Sequence, residues 1–527
     1  MRFHTYHLPE GRNVRLIEPP LEDLPRLLHD NRRRLAAASF GVAGVPLAQV
    51  AAKARERCLA EAAAYSRALG RQIAAQPAAI VATGHQPGIH HPGVWIKNHL
   101  VDHLARATGS CGLNIILDSD VPGDLLFRVP RITDGDATVD ASQTVAAKAG
   151  VAVEEQRASP AEYLEELPRR VLPLLPWESS RRATARYLGR LLEGARAGRP
   201  LRDVFAGARV ALEQDWGLRN LELPYSAACG FDSFQLLVLE IIRRAEEFAA
   251  IYNEQLAAYR TAFKVRGKAN PLPALAAEPG SVELPLWAWR AGGERRPASV
   301  ARRGGGVVLQ MGDEPAGELS ASELADAAAG MAALRRLAAS GLRIRSKAIV
   351  TTIHLRLFLS DLFIHGIGGG NYDIITDGII REFFRFEPPA YAVTTANASL
   401  PLDRPEVDTA ALRNAEDDAR RIRHAPHKVV RKLVPDDAEV EALLCERRGL
   451  LERQSRTAER REKKRLFESL KRVDAVLRGR VETFYEEKAG EVARLRRALH
   501  RDRVLADRSY PFCIYPEEIL RELYDFG

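Results

Sequence analysis

The sequence predicts an α/β fold, in which a β-sheet domain is split by a helical insertion and followed by an antiparallel coiled-coil hairpin of two long helices. Three observations support this prediction. Two short apolar runs flank an amphipathic stretch early in the chain, a similar alternation returns much later, and charged residues dominate segment 404–500. The first two patterns indicate strands and helices of a parallel sheet, and the third is typical of exposed helices.

The composition indicates a large globular protein. The chain has 527 residues, of which 46% are hydrophobic and 28% are charged, which suits about three domains of ~100–200 residues each. No stretch reaches the ~18 uninterrupted apolar residues of a membrane helix, and the first residues lack the apolar segment of a secretory signal. Five scattered cysteines without CxxC spacing exclude a disulfide framework. We therefore expect a cytoplasmic protein that does not bind membranes.

Segment 1–150 is predicted to hold an N-terminal part and the first half of the sheet domain. A long helix is expected at 47–76. The apolar runs 78–81 and 113–117 are typical of buried strands, and the stretch between them predicts a helix at about 94–107. Strand, helix and strand make a βαβ unit, whose ligands lie at the carboxyl ends of the strands.

Segment 151–335 is predicted to be a connecting insertion, and segment 336–403 the second half of the sheet domain. The insertion is largely helical in pattern, with one strand at 282–289. The second half is expected to contain a strand at 348–352, a helix at about 356–363, a glycine loop at 366–370, a helix at about 372–384 and a strand at 391–395.

Segment 404–503 is predicted to form the helical hairpin, and segment 504–527 a tail that packs on the core. Apolar residues recur at steps of three or four, as in a coiled coil: Leu466, Leu470, Val473, Leu477, Val481 and Phe484. We expect the hairpin to join two copies of the chain into a homodimer. Segment 451–510 holds 18 basic and 11 acidic residues, so RNA binding is the alternative, although we do not expect nucleic acid as a partner.

The turn after the first strand is the densest cluster of chemically useful residues. Glycines let the backbone approach a ligand, the start of a helix favours anions, and histidine or lysine stabilises phosphate or oxyanion charge. The GxxxxGK[ST] spacing of a P-loop is absent. The alternative is a turn in which histidines cap backbone groups. We predict His85 and Lys97 as catalytic residues, and as binding residues Thr83, Gly84, Gln86, Gly88, His91 and Trp95.

Two carboxylates, Asp118 and Asp120, follow the second strand. At a strand end they suit ribose hydroxyls, a substrate amine or Mg²⁺, and we predict both as catalytic residues. The alternative is that one of them caps the next segment. His99 and His103 have the i, i+4 spacing of a metal pair, but no third ligand has useful spacing, so we expect a solvated helix face and no metal site.

The glycine loop of the second half forms another cluster. Three successive glycines expose backbone N–H groups as an anion-binding nest at a helix start. We predict that both glycine-bearing loops line one cleft at the switch point of the sheet. The predicted residues are Asp373, which orients the nucleophile, and the binding residues Arg356, His365, Gly368, Gly369, Gly370 and Tyr372.

Three passages resemble motifs of one known family. TGHQPG followed by Gly93, Trp95 and Lys97 is similar to a TGQQPG motif that precedes Gly-Pro, an aromatic residue and a lysine. LDSD, with Asp118 and Asp120, stands where the family carries EDHD. HLRLFLSDLFIHGIGGGNYD is similar to a passage that runs from Arg-Pro to a GGPGE-Y loop. The family is that of the bacillithiol biosynthesis cysteine-adding enzymes, which are cysteine ligases.

The resemblance implies a Rossmann-like nucleotide-fold core related to class I synthetases, with a coiled-coil dimerisation arm. It implies amide formation between the cysteine carboxyl group and the amine of glucosaminyl-malate. His85 replaces a family glutamine, and Gly370-Asn371 lacks the family's glutamate, which leaves the substrate open.

We therefore expect a carbon–nitrogen ligase-like enzyme that joins an amino-acid carboxylate to an amine such as an amino-sugar conjugate, with ATP or another nucleotide as cofactor. Two alternatives stay open. One is a nucleotidyltransferase or metal-dependent hydrolase that uses the histidine cluster. The other is a non-catalytic nucleotide-fold scaffold with an RNA- or partner-binding coiled coil.

Overall fold

The computed structural model describes residues 4–73, 77–133, 136–160, 164–267, 271–405 and 408–527. The chain is a mixed α/β protein that divides into two compact units. The core unit comprises Met1–Val129, Asp140–Ser399 and Arg508–Gly527, and the helical unit comprises Pro130–Val139 and Leu400–Asp507. The helical unit thus includes a short segment, Pro130–Val139, that lies far from its other residues in the sequence.

The strands, numbered along the chain, are β1 (Val14–Glu18), β2 (Gly41–Val42), β3 (Val45–Pro46), β4 (Ile80–His85), β5 (Cys111–Ile116), β6 (Leu126–Thr133), β7 (Asp136–Gln143), β8 (Val145–Ala146), β9 (Ser159–Pro160), β10 (Leu221–Pro224), β11 (Ala277–Glu278), β12 (Ser281–Arg290), β13 (Arg296–Arg303), β14 (Gly306–Met311), β15 (Glu314–Leu319), β16 (Leu342–Ser346), β17 (Leu362–His365) and β18 (Ala392–Asn397).

The helices are α1 (Leu24–Ala36), α2 (Leu47–Ala68), α3 (Pro92–Thr108), α4 (Leu167–Val171), α5 (Glu178–Arg196), α6 (Leu201–Asp215), α7 (Tyr225–Ala228), α8 (Asp232–Arg243), α9 (Ala245–Ala262), α10 (Ala321–Ala325), α11 (Ala327–Ala339), α12 (Ala348–His354), α13 (Ile367–Phe383), α14 (Thr409–His424), α15 (Pro426–Leu433), α16 (Ala438–Arg456), α17 (Arg460–Arg480), α18 (Glu482–Leu505) and α19 (Glu517–Leu523). The helix predicted at 47–76 is α2, which ends earlier, and positions 74–76 of that prediction lie outside the described residues.

The main sheet of the core unit contains β1, β18, β17, β4, β5 and β10, in that order across the sheet. β1 pairs antiparallel with β18, and the other neighbouring strands are parallel. The predicted βαβ unit is confirmed as β4, α3 and β5. Because elements cover both faces of the sheet, every residue of β5 is buried, which explains its continuous apolar run.

Segment 348–363 folds differently from the prediction. The expected strand is helix α12, and the expected helix is a π-helical turn, Leu355–Leu359, that leads into strand β17. A short apolar run that is buried on all sides does not reveal its period, so its pattern fits a strand and a helix equally well. The carboxylate of Asp361 stabilises the start of β17 beside β4, since it accepts hydrogen bonds from the Ile80 N–H at 2.8 Å and from Arg55 at 2.6 Å.

A second sheet lies in the region predicted to be a helical insertion. It contains β11 to β15 in order, with β16 also paired to β12, and all its pairs are antiparallel. The strand predicted at 282–289 is confirmed as β12, but the other strands were not predicted. Their connections use glycines with positive φ, such as Gly292 and Gly312. Local sequence does not distinguish such tight turns from irregular loops.

The helical unit contains α14 to α18 within the described ranges, where the sequence predicted two long helices. The predicted apolar stripe on α17 is buried. It packs with apolar residues that α14, α15 and α16 supply, namely Ile422, Val430 and Val440. The stripe is therefore covered within one chain. Across the described residues, no helix is both long and apolar enough to cross a membrane.

Candidate active site

A cavity of about 910 Å³ opens at the carboxyl ends of the parallel strands. It is lined by the ends of β4, β17 and β18 and by the first residues of α3 and α13. β4 and β17 are neighbours in the sheet, yet the chain continues from β4 to one side and from β17 to the other. Ligands of open α/β sheets bind at such a reversal. Residues of both predicted glycine loops, including His85 and Tyr372, line this central cavity.

The first loop brings a lysine to the cavity at the start of α3. His91 caps the helix, because its Nδ1 accepts a hydrogen bond from the Gly93 N–H at 3.1 Å. A Cβ on Gly93 would lie 2.5 Å from the Ala396 carbonyl oxygen, so only glycine fits there. Lys97 follows about one turn later, with its Nζ 2.7 Å from the Gly84 carbonyl oxygen that accepts its hydrogen bond.

Lys97 and Arg508 are cations without an acidic partner among the described residues of the cavity wall. Burial, with a smaller contribution from Arg209, lowers the pKa of the Lys97 ammonium to about 7. The Arg508 guanidinium donates to the Thr395 hydroxyl at 3.2 Å, and burial lowers its pKa as well. Lys97 is buried and Arg508 is half-buried. Two such cations without a counter-charge favour binding of an anion, which would restore the lost solvation.

The histidines of this loop are neutral groups and not cations. Burial, reinforced by the nearby His90 and Lys97, lowers the pKa of His85 well below its ordinary value. Its Nδ1 lies 3.0 Å from the Gln86 carbonyl oxygen, to which it donates. Because His91 accepts at Nδ1, its neutral ring carries the proton on Nε2. His85 and His91 line the cavity, but they offer single hydrogen bonds there and no positive charge.

The structure separates the two predicted aspartates. Asp120 lines the cavity and forms an ion pair with Arg295 at 2.6 Å, and it accepts a hydrogen bond from Gln86. Asp118 is fully buried and is bound by the Ser226 N–H at 2.8 Å and by Arg202 at 3.1 Å. Asp118 therefore joins β5 to the segment after β10 and does not face the cavity, contrary to its predicted catalytic role.

The second loop is the first turn of α13, which starts at Ile367 and so includes glycines that were predicted to precede the helix. A Cβ on Gly366 or Gly368 would meet no atom within 4 Å. A Cβ on Gly369 would lie 2.6 Å from His365 Nδ1, and one on Gly370 would lie 2.4 Å from a Val393 methyl group. Gly366 and Gly368 therefore leave room for a ligand, whereas packing requires glycine at positions 369 and 370.

A histidine–aspartate pair stands beside this turn. His365 lines the cavity, and its Nε2 donates to Asp373 Oδ2 at 3.0 Å. Arg356 donates to the same oxygen at 2.6 Å and to Asp377 at 2.7 Å. Burial raises the pKa of the Asp373 carboxyl, but Arg356 and His365 outweigh it and hold that pKa below the ordinary value. The ionised Asp373 therefore fixes the tautomer of His365, which leaves Nδ1 as a proton acceptor.

Several predicted residues lie away from the cavity. Asp373 and Arg356 are fully buried behind His365. The Thr83 hydroxyl donates to the Ile364 carbonyl oxygen at 2.7 Å and ties β4 to β17. The Trp95 indole donates to Glu213 at 3.1 Å and stacks on Phe512, so it belongs to the core. Among the other predicted residues, the cavity wall omits Gly88 and Gly370 and includes Gly84, Gln86, Gly368, Gly369 and Tyr372.

The pair His99 and His103 does not form a metal site with its neighbours. His99 packs edge-on against Trp95, with ring centres 4.4 Å apart, and Asp102 accepts from the Arg219 N–H at 2.6 Å. Within the described ranges, no group of three or more His, Cys, Asp or Glu side chains is arranged to hold a metal ion.

No protein-family model matches the chain, and a comparison with curated proteins found no match. The site is therefore interpreted from its own geometry.

Sequence reasoning missed one wall of the cavity. Trp287 lies on β12 of the second sheet, with the Arg295 guanidinium 4.3 Å and the Lys347 ammonium 4.7 Å from its ring centre. Lys347 also pairs with Glu283 at 2.5 Å. The run VELPLWAW was predicted to be a strand. No local pattern indicates that Trp287 in this run faces the carboxyl ends of strands from other parts of the chain. The completed cavity combines anion-binding groups, a proton acceptor and an aromatic wall.

Proposed function

We propose that the central cavity binds a phosphate-bearing ligand and that the protein is a carbon–nitrogen ligase-like enzyme. The observation that carries this proposal is a pair of cations near the start of α3, the buried Lys97 and the half-buried Arg508, which lack a carboxylate partner in the described chain. The N-terminus of α3 adds the partial positive charge of its free N–H groups. Such donors stabilise a phosphate, a carboxylate or the oxyanion of an acyl-transfer intermediate.

The second loop fits a nucleotide phosphate. Gly366 and Gly368 line the cavity and leave open the space that a Cβ would fill, and α13 directs its own N-terminus there. ATP or another nucleotide, when bound, would supply the activation that turns a carboxylate into an acyl group open to attack. Across the sheet, the parallel strands lie in the order β10, β5, β4, β17 and β18. When these five strands are numbered along the chain, this is the order 3-2-1-4-5 of doubly wound folds, which supports a Rossmann-like core.

His365 is the residue we assign to proton transfer. An ammonium group must lose a proton before its nitrogen attacks a carbonyl carbon. His365 lines the cavity, and its Nδ1 is the ring nitrogen that Asp373 does not bind. Asp373 is a positioning residue that holds the ring and stabilises the protonated form. Asp120 is the carboxylate of the cavity wall that suits an amine or a ribose hydroxyl.

The substrate pair follows from the resemblance to the cysteine-adding family. Residues of its three motif passages, Gly84, Lys97, Asp120, Gly368 and Tyr372, all line the same cavity, which supports a shared reaction. The proposed donor is therefore an amino acid, with cysteine first, and the acceptor is an amino-sugar conjugate. A cytoplasmic location and a homodimer through the helical unit belong to the same proposal.

The decisive experiment is direct synthesis. The purified protein is incubated with ATP, cysteine and glucosaminyl-malate, and the products are analysed by mass spectrometry. We expect the amide product together with a cleaved nucleotide, and loss of both with Lys97→Met. If the protein binds the nucleotide but forms no product from these substrates, other amino acids and amines are tested. A product from another pair would replace the substrate assignment. Absence of nucleotide and pyrophosphate binding by calorimetry would overturn the anion site itself.

A further inference from the structure

Helix α17 of the helical unit carries far more positive than negative charge. Between Arg460 and Arg480 it holds nine Lys or Arg residues and three Asp or Glu residues. Its apolar stripe, Leu466, Leu470, Val473 and Leu477, is buried within the helical unit. The basic residues therefore occupy the remaining, exposed faces of the helix.

The cations near the start of α17 are not neutralised by neighbours. Arg460, Arg461, Lys463 and Lys464 are exposed and have no carboxylate partner among the described residues. Two other exposed arginines of the same unit are paired: Arg431 binds Glu441 at 2.7 Å, and Arg496 binds Glu416 at 2.7 Å. The usual solvated helix of alternating charges explains the paired arginines but not this cluster.

An exposed aromatic ring lies within the cluster. Phe467 is 48% exposed, and the Lys471 ammonium lies 4.7 Å from its ring centre. At ~1.5 Å per residue, the distance from Arg460 to Lys471 along the helix is about 16 Å. Two carboxylates lie within this span, since Glu462 pairs with Arg465 at 3.9 Å and Glu468 pairs with Lys471 at 3.8 Å. The row of four unpaired cations and the accessible aromatic ring still have the chemistry of a surface that binds single-stranded nucleic acid.

Other polyanions fit this face less well. An anionic membrane surface attracts the same cations, but a helix that lies in that surface inserts a broad apolar face. The apolar stripe of α17 is buried, and its exposed large hydrophobic residues in the described chain are Phe467 and Val476. A second copy of the chain would bring the same positive charge against itself. The regular phosphate charges of a nucleic-acid strand complement the row directly.

We propose that this face of α17 binds single-stranded nucleic acid without sequence preference, with phosphates on the basic residues and a base stacked on Phe467. This surface is a site beyond the proposed ligase activity, and it does not depend on the central cavity. It gives the protein a second ligand of a different chemical class.

The test uses the full-length protein and a fluorescein-labelled oligouridylate in anisotropy titrations at several salt concentrations. Since each neutralised phosphate of a single strand contributes about −0.7 to the slope of log K against log salt, four contacts predict a slope of about −3. Arg461→Gln with Lys464→Gln should reduce that slope by about 1.4. Phe467→Ala should weaken binding about 5-fold or more while leaving the slope unchanged.

The matched control removes two charges from other helices of the same unit. Arg431→Gln with Arg496→Gln should bind RNA within about 2-fold of the wild type, because these arginines are already paired. Circular dichroism melting confirms that each variant is folded. A wild type that does not bind at low salt, a control that loses as much affinity as the α17 variant, or stronger binding to anionic lipid vesicles would each overturn the proposal.

Discussion

The first loop, before α3, and the second loop, which is the first turn of α13, differ in their polar partners. Each follows a buried strand, contains glycines and belongs to the start of a helix of 17 residues. At the first, Lys97 donates to a backbone carbonyl oxygen and has no carboxylate beside it in the described chain. At the second, His365 is bound to Asp373, which Arg356 holds. In the proposed function, the presence or absence of a buried acidic partner determines whether the side chain at each glycine-rich turn moves a proton or binds an anion.

The largest expected effect is the loss of catalysis when His365 of the second loop is replaced. His365→Asn should lower kcat by about 10²- to 10⁴-fold, because the proton acceptor is lost, while nucleotide affinity stays close to the wild-type value. Steady-state kinetics and calorimetry measure the two quantities. Asp373→Asn should lower kcat in the same direction and shift the pH profile. Unchanged kcat in His365→Asn would remove the second loop from the chemistry.

Replacement of Lys97 in the first loop should instead affect ligand binding. Lys97→Met should weaken binding of ATP or pyrophosphate about 10- to 100-fold, since a charge-assisted hydrogen bond of about 1.5–3 kcal/mol is lost. The matched control is Lys347→Met in the same cavity, where the lysine already pairs with Glu283, and we expect a smaller loss there. Equal losses in the two variants would show that position in the cavity, and not the missing partner, determines anion binding.

The lowered pKa of Lys97 also predicts the sign of a pH effect. The folded protein releases the Lys97 proton near pH 7, whereas an unfolded lysine keeps it to about 10.5. The unfolded chain therefore binds more protons between these values, so the free energy of unfolding of the ligand-free protein rises with pH across that range. Urea unfolding should show a steeper rise for the wild type than for Lys97→Met. Ligand affinity should fall over the same range.

The parts of the fold that local pattern determines were predicted from the sequence. β4, β5 and β18 follow from short apolar runs with polar ends, and α3 follows from an amphipathic stretch. β4 and α3 bring their loop to the cavity. Segment 348–363 was assigned wrongly because a fully buried run has no visible period. The strands after β12 were missed because their glycine turns resemble irregular loops. Each of these errors arises where packing against distant residues decides the structure.

Local sequence is also insufficient to predict which single side chains reach the candidate site. Asp118 and Asp120 are two residues apart in one motif, yet the first binds Ser226 and the second faces the cavity. The sequence contains no signal that Arg508 or Trp287 reaches the cavity, since both come from segments remote from the motifs. Motifs predicted which loops form the site, and only the tertiary structure shows which of their side chains reach it.

Two adjacent glycines test how the second loop positions its histidine. Gly369→Ala should lower kcat about 10-fold, because the added Cβ would lie 2.6 Å from His365 Nδ1 and displace the ring. Gly368→Ala meets no atom within 4 Å, so it should raise the free energy of unfolding by about 0.4–1 kcal/mol, because alanine restricts the unfolded chain. It should also weaken nucleotide binding by occupying open space. Kinetics, calorimetry and urea unfolding of the pair distinguish a positioning role from a binding role. Identical profiles would contradict this division.

The smallest expected effect concerns the histidine of the first loop. His85→Gln should change nucleotide affinity by about 2-fold or less, since a glutamine amide can still donate to the Gln86 carbonyl oxygen and the loss is about 0.5 kcal/mol at most. Burial already keeps His85 neutral, because its pKa lies well below the ordinary value. Affinity measured from pH 6 to pH 7 should therefore show no step that the His85→Gln variant removes. A loss as large as that of Lys97→Met would mean that His85 becomes charged when the ligand binds, and the first loop would then use two cations where the ligand-free geometry offers one.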